Sequence, residues 1–302
     1  MTFKAAASRW YQEVGQHHEN EETTVTDLNW LKRHIGPNTL LHDITDSKLA
    51  ELVARRRGEH KWGRKELGLV ANTTVNRSVT QRLRHIILRA KNIWKVQVPD
   101  IKFTDHLLDE PQERVREASI GEEADILSQL TRGYDDAIRF AFDTGCRRME
   151  ILGMEWSHVD FFSDRFTVTG KYGKIRTLPM SETARALLWD QRSHHPSKVW
   201  TYEAQRTLKK QGIIRGQRYP QTEAGLKTAF RRATERAGVE NFRFHDTRHT
   251  AATRILRESN LRIVQDILGH SDPKTTTKYA HATDDDIRRA MNAASSKMKV
   301  QK

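Results

Sequence analysis

Cysteine is nearly absent from this chain of 302 residues, since Cys146 stands alone. A single cysteine excludes a framework of internal disulfide bonds and suits a reducing compartment. No run of about 18 apolar residues occurs, which argues against a membrane-spanning helix, and the N-terminal residues contain no apolar stretch of signal-peptide length. There is also no internal repeat and no low-complexity tract. These absences predict a soluble cytoplasmic protein without contact to a membrane. The length of the chain is sufficient for one large domain or two smaller ones.

Basic residues exceed acidic residues throughout the chain. There are 52 lysines and arginines against 39 aspartates and glutamates, a formal net charge of +13. Up to residue 100 the net charge is +6 and beyond it +7, so the excess is not confined to a tail. Such a distribution is typical of proteins that wrap a polyanion from two sides, although a merely soluble basic protein has the same totals.

Residues 1–95 have the apolar spacing of helices and predict a small helical DNA-binding domain. Its last helix should begin at Asn72 and run to about Trp94, with an apolar stripe on one side. The other side carries five basic residues assigned here to phosphate contacts: Arg77, Arg82, Arg84, Arg89 and Lys91. A solvated helix face has the same pattern, but no acidic residue interrupts this one after Glu66, which favours DNA binding.

Two further regions follow in the sequence. Residues 96–118 contain two of the seven prolines and dense charge, which predicts a linker. Residues 119–302 should form a second domain. Within it, residues 164–179 alternate apolar and polar side chains around a Gly-Lys-Tyr-Gly sequence, which predicts a β-hairpin with Lys171 near its turn. Residues 181–240 again have helical spacing around a basic loop.

Polar residues of the second domain are predicted at helix ends. Arg147 opens a helix just after a break at Gly145, where the helix dipole favours an anion, and Glu150 shares its face three residues on. An apolar stripe that ends at Gly269 predicts His270 just past a helix C-terminus. A new helix should then begin and carry Tyr279.

These motifs, taken in order, resemble the tyrosine recombinases of the phage integrase family. They are Thr-Gly-x-Arg-x-x-Glu over residues 144–150, His245-x-x-Arg248, Leu-Gly-His ending at His270, and Tyr279 nine residues on. Lys171 lies in the hairpin between the first two motifs, 24 residues after Arg147. Each piece is a weak signal, and the ordered set is a strong one.

The resemblance implies a mainly α fold with a small antiparallel β-sheet. Residues 1–95 would be the helical, SAM-like core-binding domain, and residues 119–302 the tyrosine-recombinase catalytic domain. Because the chain begins at once with core-binding-like helices, the further N-terminal module that larger integrases use for arm-type sites is expected to be absent.

The resemblance also assigns chemical roles. Cleavage without a metal or other cofactor requires the protein to supply positive charge, so Arg147 and Arg248 would clamp the non-bridging phosphate oxygens. Tyr279 would attack phosphorus and form a 3′-phosphotyrosyl link, which stores the bond energy for religation without ATP. Three other residues are assigned to proton transfer and hydrogen bonding, and a fourth to orientation of its neighbours. They are Lys171 as general acid for the 5′ oxygen, His245 as proton acceptor or orienting group, His270 as hydrogen-bond donor to the phosphate, and Glu150 as the orienting residue.

The partners implied are double-stranded DNA with core-type attachment sites and a ring of four protomers on two duplexes. Accessory DNA-bending or excision proteins are further candidate partners. The C-terminal segment around residues 287–294 has helical apolar spacing and would join protomers in that ring. The expected role is integration or excision of a phage or mobile element.

Alternative interpretations remain open for several residues. His245 and His249 have a spacing that could hold a metal ion, but no third ligand is evident. Cys146 could be an activated thiolate beside the arginines, although its slot in the motif favours a small core side chain. Lys174 is a rival to Lys171 as the general acid.

Two other functions compete with the recombinase. A type IB topoisomerase-like protein would share the chemistry but relax DNA as a monomer. A catalytically silent regulator would bind DNA on the same scaffold. Because all six predicted catalytic residues are present, the sequence favours an active strand-exchange enzyme over the silent regulator.

Overall fold

The computed structural model of this protein describes residues 1–111, 114–170, 173–269, 272, 274–277, 279 and 288. The chain divides into two compact units, Met1–Glu113 and Arg114–Lys302. Within the described residues, no helix is both long and apolar enough to cross a membrane. The predicted fold class, mainly α with small antiparallel sheets, is confirmed.

Helices around one apolar core make up the first unit. They are α1 (Phe3–Glu13), α2 (Glu21–Ile35), α3 (Asp46–Gly58), α4 (Asn72–Val75), a π-helical segment (Asn76–Gln81) and α5 (Arg82–Asn92). The last three are continuous, so the helix predicted from Asn72 to about Trp94 is present with a π-helical insert. Large apolar side chains such as Phe3 and Trp10 fill the core, as expected for amphipathic helices.

The prediction for Arg82 needs correction. Arg82 is only 8% exposed, and its Nη2 donates to Oδ2 of Asp27, which is also buried, at 3.2 Å. The guanidinium group also lies over the ring of Trp10, 5.2 Å from its centroid. Arg82 stands three residues after Val79 and four before Ile86, so it shares the apolar face and pairs inside the core. It is not available to a phosphate in this conformation.

The predicted linker at residues 96–118 also needs correction, because residues near both of its ends pack into the cores of the two units. Ile101 and Phe103 are buried in the core of the first unit, and His106 Nε2 lies 2.8 Å from Asp46 Oδ1 there. In contrast, Ala118 is buried in the second unit. The division between the units therefore falls after residue 113.

The second unit combines helices with two small antiparallel sheets. Its helices are α6 (Ile120–Ser128), α7 (Tyr134–Thr144), α8 (Arg148–Leu152), α9 (Glu182–Gln191), α10 (Glu223–Arg236), α11 (Phe244–Glu258), α12 (Leu261–Leu268) and α13 (Lys274–Thr277). Its strands are β1 (Val159–Asp160), β2 (Arg165–Thr169), β3 (Ile175–Pro179), β4 (Thr201–Glu203) and β5 (Arg218–Pro220).

Strand β2 pairs with β3, from Arg165 opposite Pro179 to Thr169 opposite Ile175, so the predicted hairpin is confirmed. Strand β1 pairs with the other edge of β2. The hairpin formed by β4 and β5 is not part of the sequence prediction, which gives helices around a basic loop for residues 181–240. These two strands are three residues long each, too short to give an alternating pattern.

Helix α11 carries an unbroken run of buried residues near the predicted site. Every residue from Asp246 to Ala252 is buried. Asp246 fixes the start of the helix, since its Oδ2 accepts from the backbone N–H of Arg243 at 2.7 Å and from Arg114 Nη2 at 2.7 Å. A carboxylate in the first turn is also favoured by the helix dipole. This helix therefore gives a rigid mount for the residues that it carries.

Gly145 allows the C-terminal ends of α7 and α12 to approach each other. It ends α7 in the left-handed conformation at φ 65°, which favours glycine. A Cβ atom at this position would lie 3.0 Å from Leu268 Cδ2 and 3.3 Å from Ala251 Cβ. Both the backbone conformation and the close approach therefore require the absence of a side chain.

Replacement of Gly145 by alanine should destabilise the second unit. Gly145→Ala is expected to lower the free energy of unfolding by about 2–4 kcal/mol, from left-handed strain and overpacking together. Gly238→Ala is a matched control, because Gly238 has the same φ of 65° and a Cβ atom there would meet no other atom within 4 Å. That control should cost only about 1–2 kcal/mol. Equal losses in urea unfolding would contradict the close packing of α7 against α12.

Candidate functional site

Glu150 lies at the centre of the site. It is the third residue of α8, and its carboxylate is buried. Its Oε2 accepts from the backbone N–H of Arg147 at 2.7 Å, and its Oε1 accepts from Arg147 Nη1 at 2.8 Å. Glu150 thus caps the helix that Arg147 precedes and holds the Arg147 guanidinium group, consistent with the predicted orienting role.

Arg176 is the residue that sequence reasoning missed. It lies on β3, and its Nη1 and Nη2 donate to the two carboxylate oxygens of Glu150 at 2.7 and 2.8 Å. Its Nε donates to the backbone carbonyl of Ile267 at 3.0 Å, near the end of α12. This planar fork geometry joins α8, β3 and α12 through one side chain. A signal was present in the sequence, because Arg176 has the same strand parity as buried Leu178.

The paired charges set the ionisation of both partners. Burial alone would raise the pKa of Glu150, but the hydrogen bonds and charge of Arg176, followed by those of Arg147, lower it to about 2. Burial alone would lower the pKa of Arg176, and the hydrogen bonds and charge of Glu150 outweigh it, so this pKa lies above its ordinary value. The carboxylate is therefore ionised at any pH at which the protein works.

Arg248 is buried on α11 and is 2% exposed. Its Nη1 donates to the carbonyl of Gly145 at 2.8 Å, and its Nη2 donates to the carbonyl of Leu268 at 2.7 Å. Burial first, and then the positive charge of Arg147, lower its pKa to about 10. At neutral pH the group stays protonated.

Three guanidinium groups therefore converge on the C-terminal end of α12. Arg147 Nη1 reaches the Leu268 carbonyl at 3.4 Å, the same oxygen that Arg248 binds, and Arg176 binds the preceding carbonyl. These carbonyls are at the negative end of the helix dipole, so they hold cations without neutralising them. Three positive charges face the carboxylate of Glu150. The arrangement can stabilise a bound anion such as a phosphodiester.

Tyr279 is buried beside this cluster. It is 3% exposed and packs with Ala252, Val264 and Leu268. Its hydroxyl lies 3.0 Å from Nδ1 of buried His249. Because His249 follows Arg248 on α11, this contact places Tyr279 beside the helix segment that carries Arg248, although the two residues are 31 positions apart in the sequence.

Of the three remaining predicted catalytic residues, only His245 is among the residues that the structure describes. His245 lies in the first turn of α11, is exposed, and has its ring centroid 4.9 Å from that of His249. Lys171 and His270 lie outside the described residues. Lys174, the rival of Lys171, is exposed, and its carbonyl accepts from the N–H of Gly170 at 2.7 Å.

The structure bears on two alternative interpretations of site residues. No group of three or more histidine, cysteine, aspartate or glutamate residues that could hold a metal ion occurs in the described part of the chain. Cys146 is buried in the core of the second unit, and burial raises the pKa of its thiol. Because a protonated thiol is a poor nucleophile, Cys146 is a core residue and not an activated thiolate.

In the first unit, the predicted phosphate-contacting residues are only partly exposed. Arg77, Arg84 and Lys91 are exposed. Arg89 is half-buried, and its Nε donates to Glu13 Oε2 at 2.6 Å. Because Arg82 lies in the core, four of the five predicted cations remain for a phosphate-contacting surface: Arg77, Arg84, Arg89 and Lys91.

Removal of the central carboxylate should destabilise the second unit. Glu150→Gln leaves two buried or half-buried guanidinium groups without their charged partner, so we expect a loss of about 3–5 kcal/mol at neutral pH in urea unfolding. The folded pKa of about 2 lies below the ordinary value of 4.5, so the stability from ionised Glu150 is present above pH 4.5 and is lost as the pH falls toward 2. This dependence is worth about 3 kcal/mol and should be missing in Glu150→Gln.

A matched control for this substitution is Glu235→Gln. The Glu235 side chain is 57% exposed and pairs with Arg231 one helical turn away. Its replacement should change stability by less than about 0.5 kcal/mol. If Glu150→Gln and Glu235→Gln had equal effects at every pH, the central role of Glu150 would be wrong.

Comparison with known sequences identifies the family. The model of the phage integrase family matches residues 118–286, more than half of the chain. The integrase of Salmonella phage P22 is 26% identical over 306 residues, covering 93% of this chain and 76% of that protein. The tyrosine recombinase XerC of Corynebacterium glutamicum is 32% identical over 168 residues, covering 53% of this chain and 50% of XerC. The chain therefore aligns with about half the length of that XerC.

Solved structures share the fold. The Tn1549 transposon integrase in complex with a circular intermediate DNA matches with a TM-score of 0.73 and 20% identity, covering 97% of this chain and 99% of that one. A lambda integrase dimer bound to a COC′ core site matches with a TM-score of 0.66 and 16% identity, covering 92% of this chain and 95% of that one. Together with the family match, the ordered motifs and the arginine cluster lead to one conclusion: this chain belongs to the phage integrase family and is a tyrosine-type site-specific DNA recombinase.

Proposed function

We propose that this recombinase integrates or excises a phage or mobile element by attack of Tyr279 on a DNA phosphate. Arg147 and Arg248 bind the two non-bridging oxygens, and the phenol oxygen displaces the 5′ oxygen of the next nucleotide. The product is a 3′-phosphotyrosyl link, so one phosphate ester replaces another and no external energy source is consumed. Attack by a 5′ hydroxyl of a second strand reverses the step and completes the exchange.

One observation supports this proposal most strongly. Arg147 and Arg248 lie 101 positions apart in the sequence, yet both donate to the carbonyl of Leu268. Arg147 is 35% exposed, so an anion can approach it, whereas Arg248 forms the buried wall. The hydroxyl of Tyr279 contacts His249, the residue that follows Arg248 on α11. Two guanidinium groups on one carbonyl, with a phenol beside the helix that carries Arg248, suit phosphodiester cleavage without a metal ion.

Electrostatics explain why the transition state gains more than the ground state. A phosphodiester carries one negative charge, and the five-coordinate phosphorus formed on attack carries more charge on its non-bridging oxygens. The three guanidinium groups are held in place by Glu150 and by carbonyls before DNA arrives. Because these donors need little rearrangement, their attraction strengthens as charge develops.

The other assigned residues complete the proposed chemistry. His245 is exposed at the start of α11 and would accept the phenol proton or orient the reacting groups. Lys171 would protonate the departing 5′ oxygen, and His270 would donate a hydrogen bond to the phosphate. Both roles rest on their positions in the motif set, since these two residues lie outside the described residues.

The proposed substrate is double-stranded DNA with a core-type attachment site. In the first unit, Arg77, Arg84, Arg89 and Lys91 would contact its phosphates, and a net charge of +6 over the first 100 residues favours this binding. Strand exchange between two duplexes would be carried out by four copies of the chain, with the C-terminal segment joining neighbours. That segment lies largely outside the described residues.

Covalent trapping tests the role of Tyr279. The full-length protein is incubated with a pool of duplexes that have a randomised core and nicks at staggered positions, so that cleavage releases a short fragment and prevents religation. Wild-type protein should form an adduct that survives denaturation, and sequencing of the trapped DNA should give a preferred core sequence. Tyr279→Phe should form no adduct and still bind the selected duplex, because it lacks only the attacking oxygen.

The matched control is Tyr219→Phe, which removes a hydroxyl that accepts from the N–H of Ile214 at 2.8 Å in the same unit. Adduct formation by this variant should equal that of the wild type. An adduct with Tyr279→Phe, or none with the wild type, would overturn the proposal. Adducts without sequence preference, together with relaxation of supercoiled DNA, would indicate a topoisomerase instead.

A further inference from the structure

Nδ1 of His249 lies 3.0 Å from the hydroxyl of Tyr279. Both side chains are buried, at 2% and 3% exposure, and their ring centroids are 5.5 Å apart at an interplanar angle of 49°. His249 is neither one of the six residues of the motif set nor a member of a metal-binding cluster among the described residues. A buried imidazole that contacts the proposed nucleophile needs a functional account.

His249 lies on a rigid part of α11. It follows Arg248 on α11, in the run Asp246–Ala252 that is buried throughout. Arg248 is itself fixed by the carbonyls of Gly145 and Leu268. Consecutive residues of an α-helix point about 100° apart, so one helix can direct Arg248 toward the phosphate site and His249 toward the phenol. The separation between Arg248 and the imidazole that contacts the nucleophile is thereby set within one rigid element.

Tyr279 lies on a different segment. It follows α13 (Lys274–Thr277), and its backbone N–H donates to the Thr276 carbonyl at 3.0 Å. The apolar contacts with Val264 and Leu268 hold the ring but do not direct its oxygen. The contact with His249 is directional.

We propose that His249 is a positioning residue for the nucleophile: its Nδ1 holds the Tyr279 hydroxyl in the direction from which it attacks the phosphate bound by Arg248. This inference rests on the proposed function. The proposal gives different roles to His245 and His249, the two histidines of α11, whose ring centroids are 4.9 Å apart. His245 is exposed and would be open to the substrate, whereas the buried His249 contacts the phenol.

The geometry distinguishes this role from core packing alone. A core histidine needs any hydrogen-bond partner for its polar nitrogen, and loss of that partner costs stability. A positioning histidine affects the rate of the attack, because misplacement of a reacting atom by about 1 Å can cost roughly 100-fold in rate. DNA affinity should not change, since His249 is buried and contacts the phenol.

The experiment compares His249→Asn with His249→Leu in the full-length protein. Asparagine keeps a polar atom near the position of Nδ1, whereas leucine fills a similar volume without one. His42→Asn, at an exposed histidine of the first unit, is the matched control. For each protein we measure the single-turnover rate of adduct formation on the nicked duplex recovered by covalent selection, the dissociation constant for that duplex, and the melting temperature.

We expect the variants to differ in the rate of adduct formation and not in DNA affinity. His249→Leu should form the adduct roughly 100-fold more slowly than the wild type at saturating DNA, with an unchanged dissociation constant. His249→Asn should recover most of the rate, and His42→Asn should equal the wild type. Wild-type rates in a folded His249→Leu would overturn the proposal. A folded His249→Asn as slow as His249→Leu would overturn it too, since a polar atom at the Nδ1 position would then not suffice.

A second measurement does not depend on the folding of these variants. In protein with ¹⁵N-labelled imidazoles, the Nδ1 resonance of His249 should differ between the wild type and Tyr279→Phe, because that variant lacks the hydroxyl. An unchanged resonance would contradict the contact itself. The proposed function fails separately: it falls if wild-type protein forms no adduct or if Tyr279→Phe forms one, whatever the result for His249.

Discussion

The site depends on one buried carboxylate. Glu150 accepts two hydrogen bonds from Arg176 and two from Arg147, and no backbone group could replace its negative charge. Without it, the repulsion between neighbouring guanidinium groups would oppose the packing of β3 and α8 against the end of α12. One negative charge is enough to fold this region and too little to neutralise it. The surplus of positive charge is what a DNA phosphate can use.

Helix ends are the second organising feature. The C-terminal carbonyls of α12 bind Arg147, Arg176 and Arg248, and the left-handed Gly145 allows the end of α7 to approach Leu268. Side chains from three distant segments therefore meet at the backbone carbonyls of a fourth. Helix α11 carries Arg248 and His249 as neighbours, so the phosphate clamp and the contact to the phenol share one buried support. This arrangement links stability of the fold directly to geometry of the reaction.

Much of the fold could be predicted because its signals are local. The helix from Asn72, the hairpin at residues 164–179 and the turn at Gly145 follow from apolar periodicity, alternation and glycine placement. The contacts of Glu150 with Arg176, and of His249 with Tyr279, depend on tertiary approach over 26 and 30 positions, which no local pattern reports. Arg82 was misjudged because its charge was given more weight than its place on the apolar stripe of the helix.

A double-mutant cycle between Glu150 and Arg176 tests the central claim most directly. Glu150→Gln, Arg176→Met and the double variant are compared with the wild type by urea unfolding at neutral pH. If the two side chains form one buried unit, the double variant should be more stable than the sum of the single losses indicates, with a coupling free energy of about 2–3 kcal/mol. Losses that add within about 0.5 kcal/mol would show independent residues and contradict the account.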